Sequence, residues 1–156
     1  MTTTSNGKHP QAVWIDTNVL VYANLALSPY HQAAVERLET LDRQGCELWL
    51  SRQTLREYLA VLTKPQILTA PIPVTALTAD VRYFGTRFLV GEDGAQVTEN
   101  LLDLLARFPT GGKQVHDANI VATMLQYGVT DLLTHNVKDF VRFASVINIL
   151  PLAGVN

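Results

Sequence analysis

The residues in this chain that could do chemistry are acids placed where apolar segments stop or turn. Ala12-Val-Trp-Ile ends at Asp16, which Thr17 and Asn18 follow. Glu57 lies within Ser51-Arg-Gln-Thr-Leu-Arg-Glu-Tyr-Leu-Ala-Val-Leu, Asp117 follows His116 near the start of a helical segment, and Asp139 closes Asn136-Val-Lys-Asp. Each acid has a plain structural reading. Asp16, at a strand-to-helix junction, suits an N-cap whose carboxylate takes orphan amides. Asp139 suits the first turn of a short terminal helix. At ~100° per residue, Asp117 falls inside the apolar stripe of Ile120, Val121, Met124 and Leu125, while Asn119, Thr123 and Gln126 lie opposite. An unpaired carboxylate buried there costs on the order of several kcal/mol, comparable to a domain's whole stability, so it needs a cation or helix-start amides. Glu57 points away from the Leu55, Leu59 and Leu62 stripe, on the side of Val61, and periodicity alone reads it as solvated. The chemical reading is that the four converge. Carboxylates crowded together raise one another's pKa, and a divalent cation removes the conflict. All-oxygen ligation with open water positions suits Mg²⁺ or Mn²⁺, with one or two ions activating water against a phosphodiester.

The elements that must position these acids alternate. Ala12 to Ile15, Glu47 to Leu50, Leu132 to Thr134 and Val146 to Leu150 read as short buried strands, the last stopped by Pro151. Helical segments run from Tyr30 to Gln44, Ser51 to Thr63, Val74 to Phe88, Gln96 to Phe108 and Gln114 to Tyr127, with Ser51 as a cap and Gly45, Pro65 and Gly128 as stops. This order predicts an α/β sandwich with a parallel sheet covered on both faces. In such sheets the functional crevice lies beyond the carboxyl ends of the strands, where these acids are.

Composition bounds the rest. A chain of 156 residues, 47% hydrophobic and 17% charged, is expected to form one domain, over residues 12–152, with the polar start as a disordered tail over 1–11. Cys46 is the sole cysteine, so no intramolecular disulfide or cysteine-ligated metal cluster is possible, and a reducing cytoplasm is the expected setting. The longest apolar run, Val19-Leu-Val-Tyr-Ala, breaks at Asn24, far short of the ~20 residues a membrane helix needs. With 12 Lys and Arg against 14 Asp and Glu, the chain does not grip nucleic acid by bulk charge. Setting the four site acids aside leaves ten acids against twelve bases, which predicts local recognition around a metal.

Val13-Trp-Ile-Asp-Thr-Asn-Val-Leu, the Ser51 to Leu62 helix, His116-Asp-Ala-Asn-Ile-Val-Ala-Thr-Met-Leu and Leu132-Leu-Thr-His-Asn-Val-Lys-Asp-Phe, in that order, resemble the PIN-domain family, specifically VapC-type toxins. The resemblance spans about Val13 to Pro151. It implies a three-layer α/β/α sandwich and an Mg²⁺- or Mn²⁺-dependent endoribonuclease, the toxin of a type II toxin–antitoxin pair. It also implies transfer, ribosomal or messenger RNA as substrate, a cognate antitoxin as partner, and a homodimer. Asp16 and Asp117 match metal ligands, and Glu57 matches the acid that supports the metal and its water. The sequence departs where many members carry a fourth aspartate: that position is Asn136, with Asp139 the nearest carboxylate and Thr134 or Asn136 left to orient a water-bound ion. This departure keeps open a rival reading, a PIN-like RNA- or protein-binding domain with weak or no catalysis. A phosphoacceptor receiver fits poorly, since no acid pair closes the first strand.

His116, one residue from Asp117, points ~100° away and reads as structural or RNA-facing rather than as a base. Tyr22, Tyr58 and Trp49 have the chemistry to stack on bases, though aromatics in such segments are more often core. Arg52, Arg56, Lys113, Lys138 and Arg142 flank the motifs as candidate RNA contacts or receivers of an antitoxin tail.

Overall fold

The computed structural model of the chain describes residues 10–64 and 71–153. Among these, one parallel sheet is built from β1 (Ala12–Ile15), β2 (Glu47–Ser51), β3 (Leu89–Gly91), β4 (Asp131–Thr134) and β5 (Asn148–Pro151), in the order β3-β2-β1-β4-β5. Helices α1 (Thr17–Ala23), α2 (His31–Arg43), α3 (Arg52–Leu62), α4 (Val74–Arg87), α5 (Ala95–Arg107), α6 (Gln114–Gln126) and the short α7 (Val137–Phe140) occupy the connections, with a 3-10 turn at Val141–Phe143.

The two-residue strand period sorts side chains into two cores. Val13 and Ile15 of β1, with Leu48, Leu50 and Leu133, pack under α1 to α4; Trp14 and Leu132 pack on the other face under α5, α6 and α7. Both faces are therefore covered, which is why the strands read as unbroken apolar runs. The result is the expected three-layer sandwich. Among the described residues no helix is long and apolar enough to cross a membrane.

Most boundaries fall within a residue or two of expectation, because their signals are local. The Ser51 hydroxyl accepts from the Thr54 amide at 3.0 Å and caps α3, and Gly45 and Gly128 end α2 and α6 at φ of +76° and +67°. Three differences stand out. The Val19 to Ala23 run is part of a helix, α1, started by the Asp16 cap. The three-residue β3 was not anticipated: it carries no alternation, and its place is set by pairing with β2 and by Gly91. A Cβ at Gly91 would lie 2.6 Å from Trp14 and 2.9 Å from Tyr127, so only glycine lets the strand close over these rings. The last strand begins at Asn148 rather than Val146, and Pro151 is its final residue, paired with Thr134 on a sheet edge where a missing N–H is tolerated.

Of the polar tail expected over 1–11, residues 1–9 lie outside the described residues; the Gln11 carbonyl accepts from the Glu47 amide at 2.8 Å.

Chain order gives the sheet its reversal. From the central β1 the chain moves outward through β2 and β3, then returns to lay β4 and β5 on the other side of β1. The crevice at such a reversal opens between the carboxyl ends of β1 and β4, which end at Ile15 and Thr134.

Candidate active site

Asp16 sits at that reversal, 6% exposed, directly after β1. One carboxylate oxygen takes the Thr17 amide at 2.8 Å; the other takes the Thr134 hydroxyl at 2.7 Å and the Asn18 amide at 3.1 Å. Asp16 is therefore the helix cap that the local sequence suggests, and the same bonds aim it at the cleft. Burial pushes its carboxyl up to about 6, with the Glu57 charge adding to the rise and the Thr134, Thr17 and Asn18 hydrogen bonds opposing it. Asn18 also accepts from the His135 amide at 3.1 Å, tying α1 to the loop after β4.

An open cleft of about 410 Å³ lies in front of Asp16. Its acidic side carries Asp16, Glu57 and Asp117; Val21, Tyr22, Ala60 and Val61 form an apolar wall; Thr17, Asn18, Lys64 and Asn136 complete the lining. Glu57 is held there by two donors from different helices, the Thr17 hydroxyl on one oxygen and the Gln53 amide on the other, both at 2.7 Å. Periodicity correctly turned Glu57 away from the leucine stripe of α3. The face it shares with Val61 looks into the cleft rather than into open solvent.

Asp117 is half-buried in the first turn of α6, and no described residue donates a hydrogen bond to it. The helix-start role expected as its bland alternative is not taken. Burial, followed by the charges of Asp139, Asp16 and Glu57, pushes its carboxyl up to about 7, and Arg142 pulls the other way. Asp16, Glu57 and Asp117 form no ion pair with any described residue. Thr123, on the face of α6 opposite the apolar stripe, is nonetheless buried, its hydroxyl donating to the Asn119 carbonyl at 2.8 Å.

The remaining candidates divide. Asp139, in α7, does not line the cleft and reaches Asp117 only through its charge. Asn136 lines the cleft and is exposed, with its backbone amide donating to the Thr134 hydroxyl at 3.0 Å. Thr134 itself is spent on orienting Asp16. His116 is exposed, as its helical angle predicts. Tyr58 is core, its hydroxyl donating to Asp80 at 2.7 Å, and Trp49 stacks on Trp14 at 5.7 Å. Tyr22 alone of the three aromatics lines the cleft, backed by Tyr30 and His135 at 5.0 and 5.4 Å. Arg52 is paired with Glu92 at 2.6 Å, and Arg142 donates to Gln114 at 2.6 Å. Arg56, Lys113 and Lys138 are exposed and outside the cleft. Lys64, which lines it, was missed; the available signal was its place seven residues past Glu57, two turns along the same side.

The donor set suits a hard divalent cation: all the converging groups are oxygens, and two of the carboxyls are strained by burial and mutual charge. Among the described residues no three His, Cys, Asp or Glu side chains are placed to hold one ion directly. Mg²⁺ keeps several of its waters and is commonly held by one or two carboxylates.

A family model for the PIN domain matches residues 13–146. The chain belongs to the PIN domain family. Within that family it is similar to ribonuclease VapC24 of Mycobacterium tuberculosis, 30% identical over 135 residues covering 83% of this chain and 89% of that protein. Ribonuclease VapC48 of the same organism is 27% identical over 144 residues, 89% of this chain and 97% of the relative. The PIN fold is matched by the crystal structure of VapBC2 from Rickettsia felis bound to a promoter DNA fragment, with a TM-score of 0.65, 19% identity, and coverage of 90% of this chain and 98% of that one.

Proposed function

We propose that this PIN domain, as a single unit over residues 12–152, is a divalent-metal-dependent endoribonuclease acting in the cytoplasm as the toxin of a toxin–antitoxin pair. The observation that carries the reading is the cleft at the β1/β4 reversal, where Asp117, with no donor, shares an open space with Asp16 and Glu57. Burial and neighbouring charge push the Asp16 and Asp117 carboxyls up, and a divalent cation between them would relieve that cost. The similarity to VapC24 and VapC48, both named ribonucleases, supports RNA as the substrate that such a site cuts. Transfer, ribosomal and messenger RNA all present the required phosphodiester.

In this reading Asp16 and Asp117 would hold one Mg²⁺ or Mn²⁺. Such an ion supplies the Lewis acidity that activates water at neutral pH and neutralises charge developing at the phosphodiester. The chain's own groups set the rest. Thr134, Asn18 and the Thr17 amide orient Asp16. Glu57, with one hydrogen bond on each oxygen, keeps acceptor capacity for a proton from the attacking water. Attack at phosphorus breaks the P–O bond to the leaving ribose oxygen, which takes up a proton from solvent. Lys64 would meet a flanking phosphate at the mouth. Asp139 would act through its charge on Asp117, and Asn136 would offer a neutral oxygen where other members carry an acid, which favours one ion over two.

The Rickettsia felis neighbour is a VapBC assembly, which supports an antitoxin as partner. Exposed Val74 and Tyr83 on α4 and Leu102 on α5 offer apolar surface to a homodimer.

The test is cleavage of total or transfer RNA by protein purified free of any partner, with Mg²⁺, Mn²⁺ or EDTA. Cleavage is expected only with metal and is expected to vanish in Asp16→Ala and Asp117→Ala. Cleavage that persists in EDTA, or in either variant, refutes the mechanism. The acid-to-amide change at Asn136 favours one second reading, a binding domain with little catalysis, and calorimetry separates the two: absence of Mn²⁺ uptake at millimolar metal supports the binding domain.

A further inference from the structure

Glu57 and Asp117 reach the cleft from opposite layers of the sandwich. The apolar side chains of α3 belong to the core on one face of the sheet, and those of α6 to the core on the other. α3 packs on α1 and α4, whereas α6 packs on α5 and α7. The two acid-bearing helices thus belong to separate cores that meet only through the sheet they share.

A polar bridge spans the gap. Gln53, 7% exposed and one turn before Glu57, uses both hydrogens of its amide nitrogen: one goes to Glu57 Oε1 at 2.7 Å, the other to the His116 carbonyl at 2.9 Å. Its oxygen accepts from Asn119 Nδ2 at 3.0 Å, and that nitrogen also donates to Asp93 at 3.1 Å on the loop after β3. The amide orientation is forced, since the His116 carbonyl can only accept. Gln53 therefore grips α6 on both sides of Asp117, at 116 and at 119, while holding Glu57 from the same side chain. α6 has no side-chain N-cap of its own, and the Gln53 amide, which donates to a first-turn carbonyl, ties the helix laterally without capping it. A methionine would fill a similar volume but leave Glu57, the His116 carbonyl and Asn119 without this partner, so the buried amide is offset by a complete set of bonds.

We infer that Gln53 is a positioning residue of this site: its buried amide locks α3 to α6 across the carboxyl edge of the sheet, which sets Asp117 to share a single divalent cation with Asp16 and sets Glu57 beside it. The inference rests on the metal-dependent reading above. Gln53 touches neither substrate nor ion; it acts through the two acids it places. Asn119 and Asp93 extend the tie to the β3–α5 loop and hold the amide in its one productive rotamer.

The test measures Mn²⁺ affinity by calorimetry, together with kcat and KM for RNA cleavage, in wild type, Gln53→Met and Asn119→Ala, with Asp117→Ala as the control that loses binding. Removing a partner that orients metal ligands typically costs about 10- to 100-fold in metal affinity, and that loss is expected for Gln53→Met. Its kcat at saturating Mn²⁺ is expected to fall while KM for RNA stays within about twofold, since the RNA-facing surface is untouched. Asn119→Ala, which removes only the outer bond, is expected to lose affinity in the same direction by a smaller factor, and it decides the question if Gln53→Met does not fold. Mn²⁺ affinity within twofold of wild type in a folded Gln53→Met, or in Asn119→Ala where that variant decides, overturns the role of Gln53 and leaves the ribonuclease reading standing. A wild-type protein that takes up no Mn²⁺ overturns both.

Discussion

Without metal, Asp117 works against the fold, so its replacement by asparagine is expected to stabilise the metal-free protein. Asp16 and Asp117 titrate at about 6 and about 7 in the folded chain against an ordinary 3.8. The native state therefore holds more protons than the unfolded chain between about pH 4 and pH 7, and stability is lost as pH rises through that window. For Asp16 the shift corresponds to about 3 kcal/mol at neutral pH. For Asp117 the same conversion gives about 4 kcal/mol, which its half exposure to solvent reduces to about 2. The amide side chain of Asp117→Asn would carry no charge and, because no described residue donates to Asp117, would leave no donor facing a new N–H₂. In EDTA at pH 7.5, Asp117→Asn is expected to melt about 4 to 8 °C above wild type. The gain should shrink below half by pH 5 and disappear under pH 4. Millimolar Mn²⁺ should raise the melting temperature of wild type and not that of the variant. Asp16→Asn is the contrast: Asp16 accepts three hydrogen bonds, and an amide nitrogen would meet at least one of those donors, a cost of about 1 to 3 kcal/mol that offsets most of the roughly 3 kcal/mol its lost charge would release, so that variant is expected to gain little in EDTA. An Asp117→Asn protein that melts at or below wild type in EDTA at pH 7.5, or whose advantage does not change with pH, refutes this account of the site's electrostatics.

Thr134→Val removes a hydrogen bond that holds the Asp16 carboxyl down, so the acid limb of the kcat/KM profile should move to higher pH; a pH–rate profile against wild type reads it. Gly91→Ala drives a Cβ to within 2.6 Å of Trp14 and should cost about 1 to 3 kcal/mol in denaturant unfolding. Ser51→Ala removes the cap of α3 and should cost about 1 kcal/mol, seen as a lower denaturant midpoint at an unchanged slope.

Local physics made much of this protein legible from its residues alone. Apolar runs ending at Asp16, Ser51 and Thr134 mark strands because a strand buried on both faces must be apolar throughout, and caps such as Ser51 act within one turn. Asp117 announced itself by lying in an apolar stripe; Glu57 did not, since its turn away from the leucine stripe reads as solvated and only the family resemblance singled it out. Neither periodicity nor composition could say that the face carrying Glu57 and Val61 looks into a cleft, because that depends on α1 crossing above it and supplying Thr17 forty residues earlier. Strand order is equally non-local: β3 is three residues long and exists because Gly91 lets it approach Trp14 beside β2. Gln53 and Asn119 looked like ordinary helix residues, and Lys64 like a surface cation. Their significance arises where two layers with separate cores meet beyond the sheet edge. Sequence pattern determined which acids are available and which elements carry them; only tertiary structure decided their separation, since hydrogen bonds between residues 40 to 118 positions apart have no signature in the local chain.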